Sequence, residues 1–98
     1  MLVQRLIRVV KPGHVDELVA LNRAEFKQRY RLPHKCHVYQ SGYGPLNTVI
    51  IDVEWESEAE AEEFWQKWFA DPGSQVFGGK HDALVVSGSH ESWWVEEL

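Results

Sequence analysis

The stretch Asn47-Thr48-Val49-Ile50-Ile51-Asp52-Val53-Glu54-Trp55-Glu56, running straight into Ser57-Glu58-Ala59-Glu60-Ala61, decides the fold. Its first part alternates between two faces. Val49, Ile51, Val53 and Trp55 share one face, and Thr48, Ile50, Asp52 and Glu54 the other, which predicts a strand over 47–56 whose first face meets helices. Ser57 and Glu60 then form a capping box, the hydroxyl accepting from the third helical amide while the carboxylate reaches back. Ala61, Phe64, Trp65, Trp68 and Phe69 follow at steps of three and four, the stripe of an amphipathic helix. Asp71-Pro72-Gly73 is expected to end or kink it.

Toward the N-terminus, Gly42-Tyr43-Gly44-Pro45-Leu46 marks a hairpin or slightly longer loop joining this strand to one over 35–41. Before that, residues 14–30 suit a helix. Val15, Leu18, Val19, Asn22, Phe26 and Tyr30 lie on one stripe, with Gly13 as the expected N-cap, Asp16 and Glu17 at the positive end of the dipole, and Pro33 closing the segment. Residues 2–10 form a strand apolar on both faces, Val3, Ile7 and Val9 alternating with Leu6, Arg8 and Val10. Toward the C-terminus, Val76, Phe77 and Leu84 are compatible with a short helix, which Gly78-Gly79 would weaken by about 1 kcal/mol per glycine. The last strand is expected within 84–96, where two β-prone runs flank Ser87-Gly88-Ser89-His90.

The resulting order, βαββαβ, is the split βαβ arrangement. The expected fold is therefore α+β and ferredoxin-like, a single domain over 1–98 with a four-stranded antiparallel sheet and two helices on one face. Right-handed crossovers leave the other face open. Leu6, Val10, Ile50 and Tyr39 are expected there, too apolar for a solvated surface, and a C₂ partner is the simplest cover. The expected assembly is a homodimer, a dimeric α/β barrel.

Composition narrows the function classes. The 98 residues are 44% hydrophobic and 26% charged, which is the profile of a globular protein rather than a disordered one. The net charge of −5 argues against nucleic acid or a membrane surface as partner, because phosphate neutralisation needs clustered Lys and Arg. The single Cys36 excludes an internal disulfide and fits a reducing compartment. Polar residues interrupt the apolar start too often for a signal peptide or a transmembrane span, so the cytoplasm is the expected location.

Gly44-Pro45-Leu46-Asn47, Val53-Glu54-Trp55-Glu56-Ser57, Ala59-Glu60, Asp71-Pro72, Val76-Phe77 and Lys80, in this order, resemble the NIPSNAP family. The opening strand leading into Lys11-Pro12-Gly13 is similar to many dimeric α/β-barrel proteins. The resemblance spans nearly the whole chain. It implies a homodimer with a central cavity, no settled activity, and kinship with the antibiotic-biosynthesis monooxygenases and haem-degrading enzymes of that fold. Ile51 stands where many family members carry a polar residue, often His.

The candidate ligand-binding residues are Arg8, His37, Tyr39, Asp52 and His81. With Gln4 and Glu54, the strand residues among them are expected on a face looking into the dimer cavity, where Arg8 and Asp52 could pair between neighbouring strands. One reading has Arg8 holding a carboxylate or enolate while His37 or Tyr39 moves protons. The other is a structural salt bridge in a polar interface lining. His81 lies near the position where haem-degrading relatives carry an axial ligand. Their first-strand Asn has no counterpart in Arg5-Leu6-Ile7, so no cofactor is expected. His34, Cys36 and His37 carry zinc-binding groups, but adjacent strand residues point to opposite faces, so no metal is expected. The five tryptophans (55, 65, 68, 93 and 94) suit core or interface packing, or the wall of a pocket for an aromatic molecule. The expected function is binding of a small apolar or aromatic molecule. Cofactor-independent monooxygenase or isomerase chemistry on an aromatic substrate is the first alternative, and a structural interaction protein the second.

Overall fold

A computed structural model describes residues 1–32, 36–41 and 45–96. The expected helix closure at Pro33, the strand start at Lys35, the His34 position and the Gly42-Tyr43-Gly44 part of the loop lie outside them. The elements are β1 (Leu2–Val10), α1 (Val15–Arg23) continuing as a π-helical segment (Ala24–Arg29), β2 (Cys36–Gln40), β3 (Thr48–Trp55), α2 (Glu58–Ala70), α3 (Pro72–Leu84) and β4 (Val85–Trp94). The strands form one antiparallel sheet in the order β2-β3-β1-β4. This is the ferredoxin-like topology.

Register decides which side chains meet the helices. Val49, Ile51, Val53 and Trp55 are all buried, and they pack with Leu18, Ala61 and Leu84 from the helical layer. Their partners across β1 are Arg8, Leu6, Gln4 and Leu2. Leu6 and Val10 therefore lie on the helix-facing side, and their expected place on the open face is corrected. A strand apolar on both faces carries no phase of its own, so its phase is set by pairing with β3. The open face instead carries Val3, Ile7 and Val9 of β1, Ile50 of β3, Tyr39 of β2 and Trp93 of β4. It is apolar, as expected, with Ile50 and Tyr39 where they were expected and Val3, Ile7, Val9 and Trp93 in place of Leu6 and Val10. Trp93 and Trp94 point to opposite faces, and both are largely exposed.

The first helical segment changes its hydrogen-bond ladder partway. Beyond Arg23 it widens, and the Tyr30 amide bonds the Glu25 carbonyl five residues back at 2.9 Å. The chain leaves through Arg31 in the left-handed region (φ 50°), with Leu32 N–H donating to the Phe26 carbonyl at 2.8 Å. The wide turn accompanies a buried carboxylate: Glu25 accepts from Arg29 Nε and Nη2, each at 2.6 Å, and from the Trp68 indole at 2.8 Å. Arg29 continues to Asp71, which also accepts from Tyr30 Oη at 2.6 Å, tying this segment to the α2–α3 junction. At its other end, His14 is the N-cap of α1, one residue beyond the expected Gly13, whose φ of 83° makes the preceding turn.

The second crossover holds two helices where the sequence suggested one and an ambiguous tail. Asp71-Pro72 ends α2 and at once begins α3. The Asp71 carboxylate accepts from Gly73 N–H at 2.8 Å, and Pro72, lacking an amide proton, occupies the first turn where none is needed. Gly78 and Gly79 are carried inside α3, and a Cβ added at Gly79 would meet nothing within 4 Å. Gly79→Ala is thus expected to stabilise the protein by about 0.5–1 kcal/mol, raising Tm by roughly 4 °C in thermal denaturation. β4 runs unbroken through Ser87-Gly88-Ser89-His90, with an irregularity opposite Val9 and Val10 absorbing the extra residue.

Candidate functional site

The aromatic stripe of α2 does not close completely on the sheet. It leaves a cavity of about 540 Å³ inside a single subunit, between the helical layer and the sheet. Gln4, Leu6 and Arg8 of β1, with Ile51 of β3, line its sheet side. Phe26, Trp65, Trp68 and Phe77 form an aromatic wall, and Gly78, His81, His90 and Ser92 border it where α3 and β4 approach. The wall is mutually braced. The Phe26 ring lies 6.0 Å from Trp65, 5.9 Å from Trp68 and 5.6 Å from Phe77 between centroids. Both indole N–H groups are engaged, Trp65 donating to Gln4 Oε1 at 2.7 Å and Trp68 to Glu25, which fixes the rings in orientation as well as position.

Arg8 is the cavity's cationic group, and Asp82 also borders the cavity. Its Nε–H donates to His81 Nε2 at 2.9 Å, its Nη1 to the carbonyls of Ile7 (2.9 Å) and Ser89 (3.2 Å), and its Nη2 lies 3.1 Å from His90 Nε2. A guanidinium only donates, so both imidazole Nε2 atoms must accept. The His81 proton is then on Nδ1, which donates to Asp82 Oδ1 at 3.0 Å. The result is a directed chain from Arg8 through His81 to Asp82. Burial lowers the Arg8 pKa, opposed by the Asp82 charge. Burial, and then the Arg8 charge, hold the His90 imidazole below its ordinary value, keeping it neutral near pH 7. Arg8 fits because its register partner is Gly88, where an added Cβ would stand 2.8 Å from Nη1 and 2.9 Å from Cδ.

The five candidate residues thus separate into two places. Arg8 and His81 meet in the cavity. His37, Tyr39 and Asp52 lie across the sheet on the open face, where the rings of His37 and Tyr39 stack at 6.2 Å. The expected pairing of Arg8 with Asp52 is corrected: Asp52 takes Arg5 instead, in a two-pronged contact of 2.8 and 2.9 Å. Arg5 is the direct register partner of Asp52, whereas Arg8 faces the opposite side of the sheet. Glu54 likewise shares the open face, and Gln4 the cavity. His90 and Asp82 were absent from the candidate set. Their signal was phase: with β4 continuous, His90 is the partner of Leu6 and faces the helices. Cys36 is half-buried and its thiol is pushed up by desolvation, which disfavours the reactive thiolate. Among the described residues, no three potential ligands cluster for a metal, and no helix is long and apolar enough to cross a membrane.

The class defined by this fold is the ferredoxin-like α+β sheet with its helices, and here its cavity, on one side. Within that class the chain has the fold of solved NIPSNAP proteins. It is similar to an uncharacterized NIPSNAP domain protein from Burkholderia xenovorans, at 16% identity and TM-score 0.84, covering 98% of this chain and 95% of the other. A NIPSNAP family protein from Agrobacterium tumefaciens matches at 21% identity and TM-score 0.83, covering 98% and 93%. A putative antibiotic biosynthesis monooxygenase from Nitrosomonas europaea matches at 12% identity and TM-score 0.74, covering 97% and 98%. No protein-family model and no curated protein matches the sequence.

Proposed function

We propose that the protein binds a small, mainly apolar aromatic molecule in the cavity between its helices and its sheet, and does so as a homodimer. The carrying observation is the cavity: about 540 Å³, walled by Phe26, Trp65, Trp68 and Phe77. That volume lies within the roughly 300–1,000 Å³ of small-molecule sites, and its largely apolar lining with few polar groups is the composition such sites have. The sequence pointed to a cavity shared between subunits; the geometry favours one per subunit. The dimer is supported by the apolar open face of Val3, Ile7, Ile50 and Tyr39, and by the small surface fraction a chain of this size buries alone. The free Cys36 fits the cytoplasm as its compartment.

Titration with naphthalene methanol, followed by tryptophan fluorescence, tests the cavity. Saturable quenching is expected in the wild type. Gly78→Phe should abolish it, because Gly78 borders the cavity and a Cβ there meets nothing within 4 Å, leaving room for a ring that competes with the ligand. Quenching that is unaltered in this variant would place the binding elsewhere.

One observation favours a catalytic second reading, namely the His81–Asp82 pair beside the cavity, on a fold also found in proteins named as monooxygenases. Asp82 fixes the proton on Nδ1, so Nε2 is the basic nitrogen once Arg8 turns to the substrate. A methylene between aromatic rings, deprotonated there, would react with dioxygen to give the ketone and water (R₂CH₂ + O₂ → R₂C=O + H₂O), the substrate supplying the electrons. Oxygen uptake with anthrone is then expected to persist in His37→Ala, on the far side of the sheet, and to vanish in His81→Ala. Absence of uptake in the wild type would leave binding alone.

A further inference from the structure

The structural arginines and the cavity arginine are treated differently. Arg5 and Arg29 each bond carboxylates directly, at 2.6 to 3.0 Å. Arg8 is half-buried beside an apolar cavity, and among the described residues its hydrogen-bond partners are two imidazole nitrogens and two peptide carbonyls. Asp82 reaches it only through His81, and the Asp82 side chain is 82% exposed. A cation removed from water without a directly opposed anion is costly, and such groups are ordinarily paired. Although Asp82 borders the cavity, no carboxylate among the described residues bonds Arg8 directly, and its planar fork suits one.

We propose that the cavity selects an aromatic carboxylate, its acid group seated on Arg8, and that binding places a proton on His90. This deepens the proposed function and rests on that cavity being the binding site. In the free protein His90 Nε2 accepts from Arg8 Nη2. A carboxylate oxygen arriving at Nη2 displaces that acceptor. The ring, released from donation and now beside an anion, takes a proton and donates it to the same oxygen. The charged and titratable groups around it are Arg8 from β1 and His81 and Asp82 from α3, while the Glu91 carboxylate, which accepts from Trp93, lies on the other face of the sheet. Arg8 opposes protonation of His90, and the bound carboxylate neutralises that opposition. Affinity should then increase as pH falls from 8 toward 6, by at most about tenfold per unit for one proton.

Isothermal titration calorimetry with 2-naphthoate and with 2-naphthalenemethanol, its neutral counterpart, tests this. The acid is expected to bind about 10- to 100-fold more tightly, the worth of charge-assisted hydrogen bonds. Arg8→Gln should bring the two ligands to equal affinity. Gly88→Ala keeps the charge but crowds Arg8 through its flexible side chain, and should lose part of the preference even if the first variant folds poorly. Naphthoate titrations at pH 7.5 in phosphate and in Tris should differ in heat by nearly one proton taken up per site. His90→Gln should abolish that difference while keeping most of the preference for the acid. Equal affinities in the wild type would overturn the carboxylate assignment and leave the apolar site standing. Failure of both ligands to bind would remove the site itself. Identical heats in the two buffers would overturn the role of His90.

Discussion

Leu18→Ala is expected to lower the unfolding free energy by about 3 kcal/mol, a shift of roughly 15 °C in Tm for a domain of this length. Leu18 is 0% exposed, in a core cluster that also contains Val49, Ile51 and Ala61. Removing three carbons there forfeits both their transfer from water and their contacts, because a close-packed interior relaxes only partly. Leu46, 84% exposed, is the control: Leu46→Ala should change stability by less than about 0.5 kcal/mol. Urea denaturation of the two variants checks the pair. Similar midpoints would show that the helical layer does not rest on the sheet as described.

The second large effect concerns the open face. Under the proposed dimer, Ile7→Glu should convert the protein from twice to once the 11.4 kDa chain mass in sedimentation equilibrium at micromolar concentration. Ile7 lies at the middle of β1, opposite Ile50 and beside Arg5, so a carboxylate there meets its own symmetry mate or apolar surface. Wild-type Tm should also rise with protein concentration, as mass action requires, and that of the variant should not. A wild type sedimenting as one chain would remove the dimer and leave the cavity, which one subunit forms by itself.

The fold was legible because β3 and α2 announce themselves. Val49 to Trp55 alternates with Ile50 as its one departure, and Ser57 and Glu60 do bond as a cap, Glu60 N–H donating to Ser57 Oγ at 3.2 Å. The site was harder to read, for a specific reason. β1 is apolar on both faces, so Arg5 and Arg8 were interchangeable until β3 fixed the phase. Taking Arg8 to share a face with Asp52 then carried Gln4 to the wrong side of the sheet as well. α3 was obscured by Gly78-Gly79, although Asp71-Pro72 is as good a helix start as it is a stop. Trp65 and Trp68 do pack in the core, and also wall the cavity. Sequence presented those roles as alternatives, and a partly closed aromatic layer satisfies both.

The widened ladder of residues 24–29 has a consequence for how related chains can vary in length. Removing one residue from it would restore ordinary α-helical spacing, with Tyr30 N–H able to meet the Glu25 carbonyl four residues back, but would re-space the side chains inside the turn. Phe26 would swing off its indole neighbours, and Glu25 away from the Trp68 proton it accepts. Insertions and deletions are therefore free to accumulate in the connections but not in this helix, where the residue count is itself part of the shape of the cavity.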